Sequence, residues 1–105
     1  MSKDKPLWIT GCPLCEAFTN PDESIKLYWP ESIEEIKNSE FIIIECQTKK
    51  IPRLIYRDHI PNVLSESWGR MLYRSRKIFG NDIKLNISSD FIRDHFNCYV
   101  IKNEY

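Results

Sequence analysis

The sequence predicts an α+β fold in which one antiparallel sheet carries two helices. Two runs of strand length, 41–46 (FIIIEC) and 96–101, are rich in β-branched and aromatic residues. The stretch 65–79 repeats its apolar residues at i, i+3, i+4 and i+7, the spacing of an amphipathic helix. The resulting order of strand, helix, hairpin, helix, hairpin places helices on an antiparallel sheet.

Residues 1–10 read as a loose lead-in, and 19–24 (TNPDES) as a turn set by Pro and Asp. Residues 25–29 form a short strand. Pro30 then opens a brief helix over 31–38, with Ile33 and Ile36 on one face and Glu31, Glu34 and Glu35 in solvent. The buried strand 41–46 leads through a polar turn at 47–50 into a second strand, 51–56. There Ile51, Arg53 and Ile55 alternate with Pro52, Leu54 and Tyr56, and Pro52 belongs at an edge or outside the ladder.

The helix 65–79 has Ser65 as its N-cap and Glu66 in its first turn. Its apolar face is Trp68, Met71, Leu72, Ser75, Ile78 and Phe79, and Gly80 ends it. The opposite face carries Arg70, Tyr73, Arg74 and Lys77. Two more strands, 83–87 and 96–101, close the sheet. In the last, Phe96, Cys98 and Val100 alternate with Asn97, Tyr99 and Ile101.

A chain of 105 residues is the size of one domain, 1–105, able to bury roughly two-thirds of its unfolded surface. Hydrophobic residues at 42% and charged residues at 29% describe a folded chain and not a disordered one. Lys plus Arg equals Asp plus Glu at 15 each, so bulk charge draws the protein to neither nucleic acid nor an anionic membrane. No apolar run follows the basic start, and none approaches the ~18 residues of a membrane span. The expected location is therefore the cytoplasm, where cysteines stay reduced and serve as metal ligands or core residues before disulfides.

The chemistry concentrates in Cys12-Pro13-Leu14-Cys15, a C-x2-C knuckle whose two thiolates can hold one zinc ion at about 2.3 Å each. Two tetrahedral positions then remain, and the chain has two histidines, His59 and His95, each at the edge of an expected strand. A pair of reduced core cysteines is the plainer alternative. A redox pair of the thioredoxin kind fits less well, because no strand precedes the motif.

The pattern CPLC … YRDHIPN … DHFNCYV, with FIIIEC and the 65–79 helix between, resembles the histidine triad (HIT) superfamily of nucleotide hydrolases and transferases over about residues 12–102. The resemblance implies a HIT-like sheet and one Zn2+ held by Cys12, Cys15, His59 and His95, with His95 as the first histidine of the triad. It also implies a homodimer joined through sheets or helices across a two-fold axis.

The same alignment puts Asn97 where the family has its nucleophilic histidine and Tyr99 at the third triad position. An amide nitrogen has no lone pair available to attack phosphorus, and a phenol titrating near 10 is a poor proton shuttle at neutral pH. The glycine-rich phosphate loop is replaced by Asn86-Ile87-Ser88-Ser89-Asp90, and Asp90 and Asp94 would repel phosphate.

The expectation is thus a zinc-binding HIT-like pseudoenzyme with no catalytic residues, acting as a nucleotide- or protein-binding module with no membrane partner. A diverged nucleotide hydrolase or nucleotidyl transferase is the alternative, and nucleic-acid binding through the 65–79 helix, by Arg70, Arg74 and Lys77 with Tyr73, is a third reading. Cys98 should face the core and be inert, and Cys46 should pack. Trp8, Trp29 and Trp68 are expected as core or dimer contacts.

Overall fold

The computed structural model describes residues 12–21, 23–46, 50–60, 62–87 and 95–103. The lead-in, Trp8, positions 47–49 of the polar turn, Ser88, Ser89, Asp90 and Asp94 lie outside them.

The α+β expectation holds. Helix α1 (Pro13–Thr19) is followed by β1 (Leu27–Trp29), a 3-10 helix (Ile33–Asn38), β2 (Phe41–Glu45) and β3 (Pro52–Tyr56). Helix α2 (Ser65–Phe79), β4 (Ile83–Ile87) and β5 (Asn97–Lys102) complete the order. The strands form one five-stranded antiparallel sheet in the order β1-β2-β3-β5-β4.

Strand alternation divides the core between the two faces of this sheet. Ile42 pairs with Ile55, and both pack on one face with Leu14, Phe18 and Ile36 from α1 and the 3-10 helix. Ile43 pairs with Leu54, and both pack on the opposite face with Phe41, Met71, Phe96 and Cys98 under α2. A sheet covered on both faces explains why Arg53, Leu54 and Ile55 are buried in succession.

Several elements differ from expectation for local reasons. Helix α1, which carries the knuckle, is an element that the sequence pattern does not announce. Its seven residues are too few to show a periodic pattern. The helix expected at 31–38 is a 3-10 turn, the form favoured for short pieces. The cap of α2 is Leu64, in extended conformation with no side-chain cap bond, and Ser65 is the first helical residue. Pro52 opens β3 opposite Glu45, a strand start being a position that tolerates a missing N–H. On α2, Ser67 is buried beside Met71 and Ser75, while Trp68, Ile78 and Phe79 pack half-buried. Among the described residues, no helix is long and apolar enough to cross a membrane.

Candidate metal centre

Cys12 caps α1 in an extended conformation (φ −85°, ψ 116°), and Pro13 enters the first turn, where its fixed φ suits a helix start. The turn that follows carries Cys15 back beside Cys12. Both belong to the core cluster under α1, at 8% and 2% exposure.

The histidines come from the segment after β3 and the segment before β5. The Tyr56 N–H donates to the Phe96 carbonyl (3.1 Å), and the Phe96 N–H donates to the Ile60 carbonyl (2.6 Å). On the other side, the Arg57 N–H donates to the Glu40 carbonyl (2.8 Å). These bonds hold the bend after β3 against the start of β5, which sets His59 beside His95 with ring centroids 5.2 Å apart.

The four ligand-type atoms lie within 4.8 Å of one another. Cys15 Sγ is 3.3 Å from His59 Nδ1 and 3.4 Å from His95 Nδ1, and Cys12 Sγ is 3.7 Å from His95 Nδ1. Zinc bond lengths of about 2.3 Å to sulfur and 2.0–2.1 Å to nitrogen give a tetrahedral S···N edge of about 3.5 Å. The observed separations bracket that edge.

The protonation of His95 follows from its surroundings. Its Nε2 lies 2.6 Å from the Tyr56 carbonyl oxygen, which only accepts, so Nε2 carries the proton and donates. Burial lowers the imidazole's pKa; the Tyr56 hydrogen bond acts in the opposite sense, and the neighbouring His59 adds to the lowering. The ring is therefore neutral, with one lone pair at Nδ1, the atom both sulfurs approach. One lone pair accepts one S–H. A single cation placed among the four atoms serves them all, and the Tyr56 carbonyl then acts as the outer partner that orients a metal-binding imidazole.

The remaining candidates are dispersed. Asn97 is buried at 3% exposure. Its Oδ1 accepts from Arg53 Nη2 (2.9 Å), and its Nδ2 donates to the His95 carbonyl (2.8 Å). Tyr99 is buried with its hydroxyl 3.7 Å from Cys46 Sγ and its ring beside the Arg53 guanidinium. Cys98 faces α2 as expected, and burial pushes its thiol up to about 12. Asn86 and Ile87 are exposed on β4. Arg70 is bound to Glu40 through two contacts of 2.7 Å.

Two participants have no signal in the sequence. Arg53 reads as one position of an alternating strand, and its contact with Asn97 depends on β3 pairing with β5. The Tyr56 carbonyl is a main-chain group that any residue would supply. No protein-family model, curated protein or solved structure matches the chain.

Proposed function

We propose that this chain is a zinc-stabilised binding protein of the histidine-triad type that does not perform that superfamily's nucleotide transfer. Cys12, Cys15, His59 and His95 hold one Zn2+ in a closed site with no position left for substrate. The observation that carries this reading is the set of S···N separations, 3.3, 3.4 and 3.7 Å, around a neutral, correctly oriented imidazole. A site of two thiolates and two imidazoles suits zinc better than magnesium or calcium, which take oxygen ligands.

The surroundings of Asn97 and Tyr99 support the non-catalytic part. Both side chains are buried, and the two ends of the Asn97 amide are engaged by Arg53 and the His95 carbonyl. The partner on this reading is a nucleotide or a protein, and a homodimer across an edge strand, β1 or β4, belongs to the same proposal.

Elemental analysis of the purified chain tests the metal, with one zinc per chain expected and its loss in Cys12→Ser and His95→Ala. Cobalt substitution should give the absorption of a tetrahedral thiolate site. A metal-free chain that takes up no cobalt would sink the proposal. Incubation with nucleoside phosphoramidates, dinucleoside polyphosphates and sugar nucleotides tests the rest. Turnover abolished by Asn97→Ala would replace the pseudoenzyme reading with that of a diverged hydrolase or transferase.

A further inference from the structure

The outer side of α2 carries a groove that the metal centre does not use. It is an open cavity of about 580 Å³ lined by Trp29, Phe41, Gly69, Arg70, Tyr73 and Arg74. Nothing lies within 4 Å of the place a Cβ on Gly69 would occupy, so no packing neighbour requires glycine there. Glycine inside a helix is less favourable than alanine. What its missing side chain provides is the open groove.

Cations lie against aromatic rings along this surface. The Arg74 guanidinium sits 4.0 Å from the Trp29 ring centre, the Lys77 ammonium 5.5 Å from that of Tyr73, and the Lys26 ammonium 4.9 Å from that of Tyr28. β1 runs beside the C-terminal half of α2, because Trp29 meets Arg74 and the Tyr28 ring meets Phe79 edge-on at 5.0 Å. The three pairs therefore share one side of the molecule. Tyr73, at 58% exposure, is among the large side chains most open to solvent.

We propose that this groove binds single-stranded nucleic acid. Rings and guanidinium planes are stacking platforms for any unpaired base, and the adjacent cations meet the backbone phosphates. The charges also assign the polarity of the groove. Toward the start of α2, Arg70 is held by Glu40, and Glu66 also lines the groove and repels phosphate. Phosphates are accordingly met by Arg74, Lys77 and Lys26. Paired bases bury their faces in the duplex stack, so double strands are poor ligands for such a surface. The proposal is independent of the metal reading, because none of these residues is among the four metal-site side chains.

The test is fluorescence anisotropy of a labelled, mixed-sequence 12-nucleotide single strand with the zinc-replete full chain, over a range of salt. About three phosphate contacts predict a log–log salt slope of about −2, from about −0.7 per contact. Arg74→Ala with Lys77→Ala should flatten that slope by about 1.4. Tyr73→Ala should weaken binding about tenfold through the lost stacking platform. Gly69→Leu should block the groove without lowering the thermal melt or the zinc content, since it enters open space and favours the helix over glycine. Absence of binding at about 50 mM salt overturns the proposal. So does equal affinity for the duplex and for heparin with no response to Tyr73→Ala or Gly69→Leu, which would mean charge attraction alone. Binding of an acidic, aromatic-containing peptide with no oligonucleotide binding would assign the groove to a protein partner instead.

Discussion

At the scale of single residues, Asn97 is the buried side chain most tightly tied to the candidate metal centre. Its amide accepts from a buried guanidinium and donates to the carbonyl of a proposed metal ligand, a task set by two neighbours with opposite hydrogen-bonding needs. An imidazole there would add ring volume at a site 3% exposed and remove the amide oxygen that accepts from Arg53. Asn97→His should therefore destabilise the chain by about 1–3 kcal/mol through overpacking and create no phosphoramidate hydrolysis. Urea denaturation and a turnover assay check the two halves. A stable, active variant would show that the neighbourhood of Asn97 can support catalysis. Cys98 lies one residue on and faces the other way, because a strand sends successive side chains to opposite faces.

Between elements, the contact most open to a pH test ties the start of β2 to α2. The Glu40 carboxylate accepts from Arg70, from the Ser67 hydroxyl at 2.8 Å and from the Tyr56 hydroxyl at 3.4 Å. The Arg70 hydrogen bonds, foremost, hold its pKa below the ordinary 4.5, against the opposing effect of burial. A carboxyl with a depressed folded-state pKa stabilises the fold above its unfolded value, and that stability is lost as pH falls through the folded value. Glu40→Gln should thus lower the Tm at pH 7, with the difference shrinking once pH drops below about 4.5. Thermal melts of both proteins between pH 7 and pH 3 check this; a constant difference across that range would place the effect in packing. The same residue's main-chain carbonyl holds Arg57, so β2, α2 and the bend bearing His59 meet at Glu40.

For the whole molecule, the candidate metal centre brings together segments far apart in sequence. The pairs Cys15–His59, Cys15–His95 and Cys12–His95 span 44, 80 and 83 residues. Closing a loop of about 80 residues costs about 4 kcal/mol plus a constant. Without the ion, that closure on the α1 side rests on Leu14, Phe18 and their apolar neighbours. Zinc binding worth about 10–16 kcal/mol in small structural sites is comparable with the entire net stability of a domain. Chelation should therefore lower the thermal midpoint steeply or abolish the transition, and added zinc should restore it in a concentration-dependent way. Melts with a strong chelator and with excess zinc check this; identical curves would show that the apolar core alone holds α1.

The elements with long periodic patterns were legible from the chain. Helix α2 runs from Ser65 to Phe79 as its 3.6-residue repeat requires, and β2 and β4 occupy their β-branched runs. The four proposed ligands were legible too, from the C-x2-C spacing and the presence of only two histidines. The two hairpins were legible as well, but the pairing of strands that are not neighbours in the chain was not. Arg53 meets Asn97 only because β3 lies beside β5, and the Tyr56 carbonyl that orients His95 has no side-chain identity at all. The cap of α2 fell on Leu64 instead of Ser65, since the path into the helix outweighed a preference worth about 1 kcal/mol. Periodicity and ligand chemistry are local properties, readable along a chain. Which strand lies beside which, and therefore which polar groups meet, is settled by the burial of both sheet faces at once.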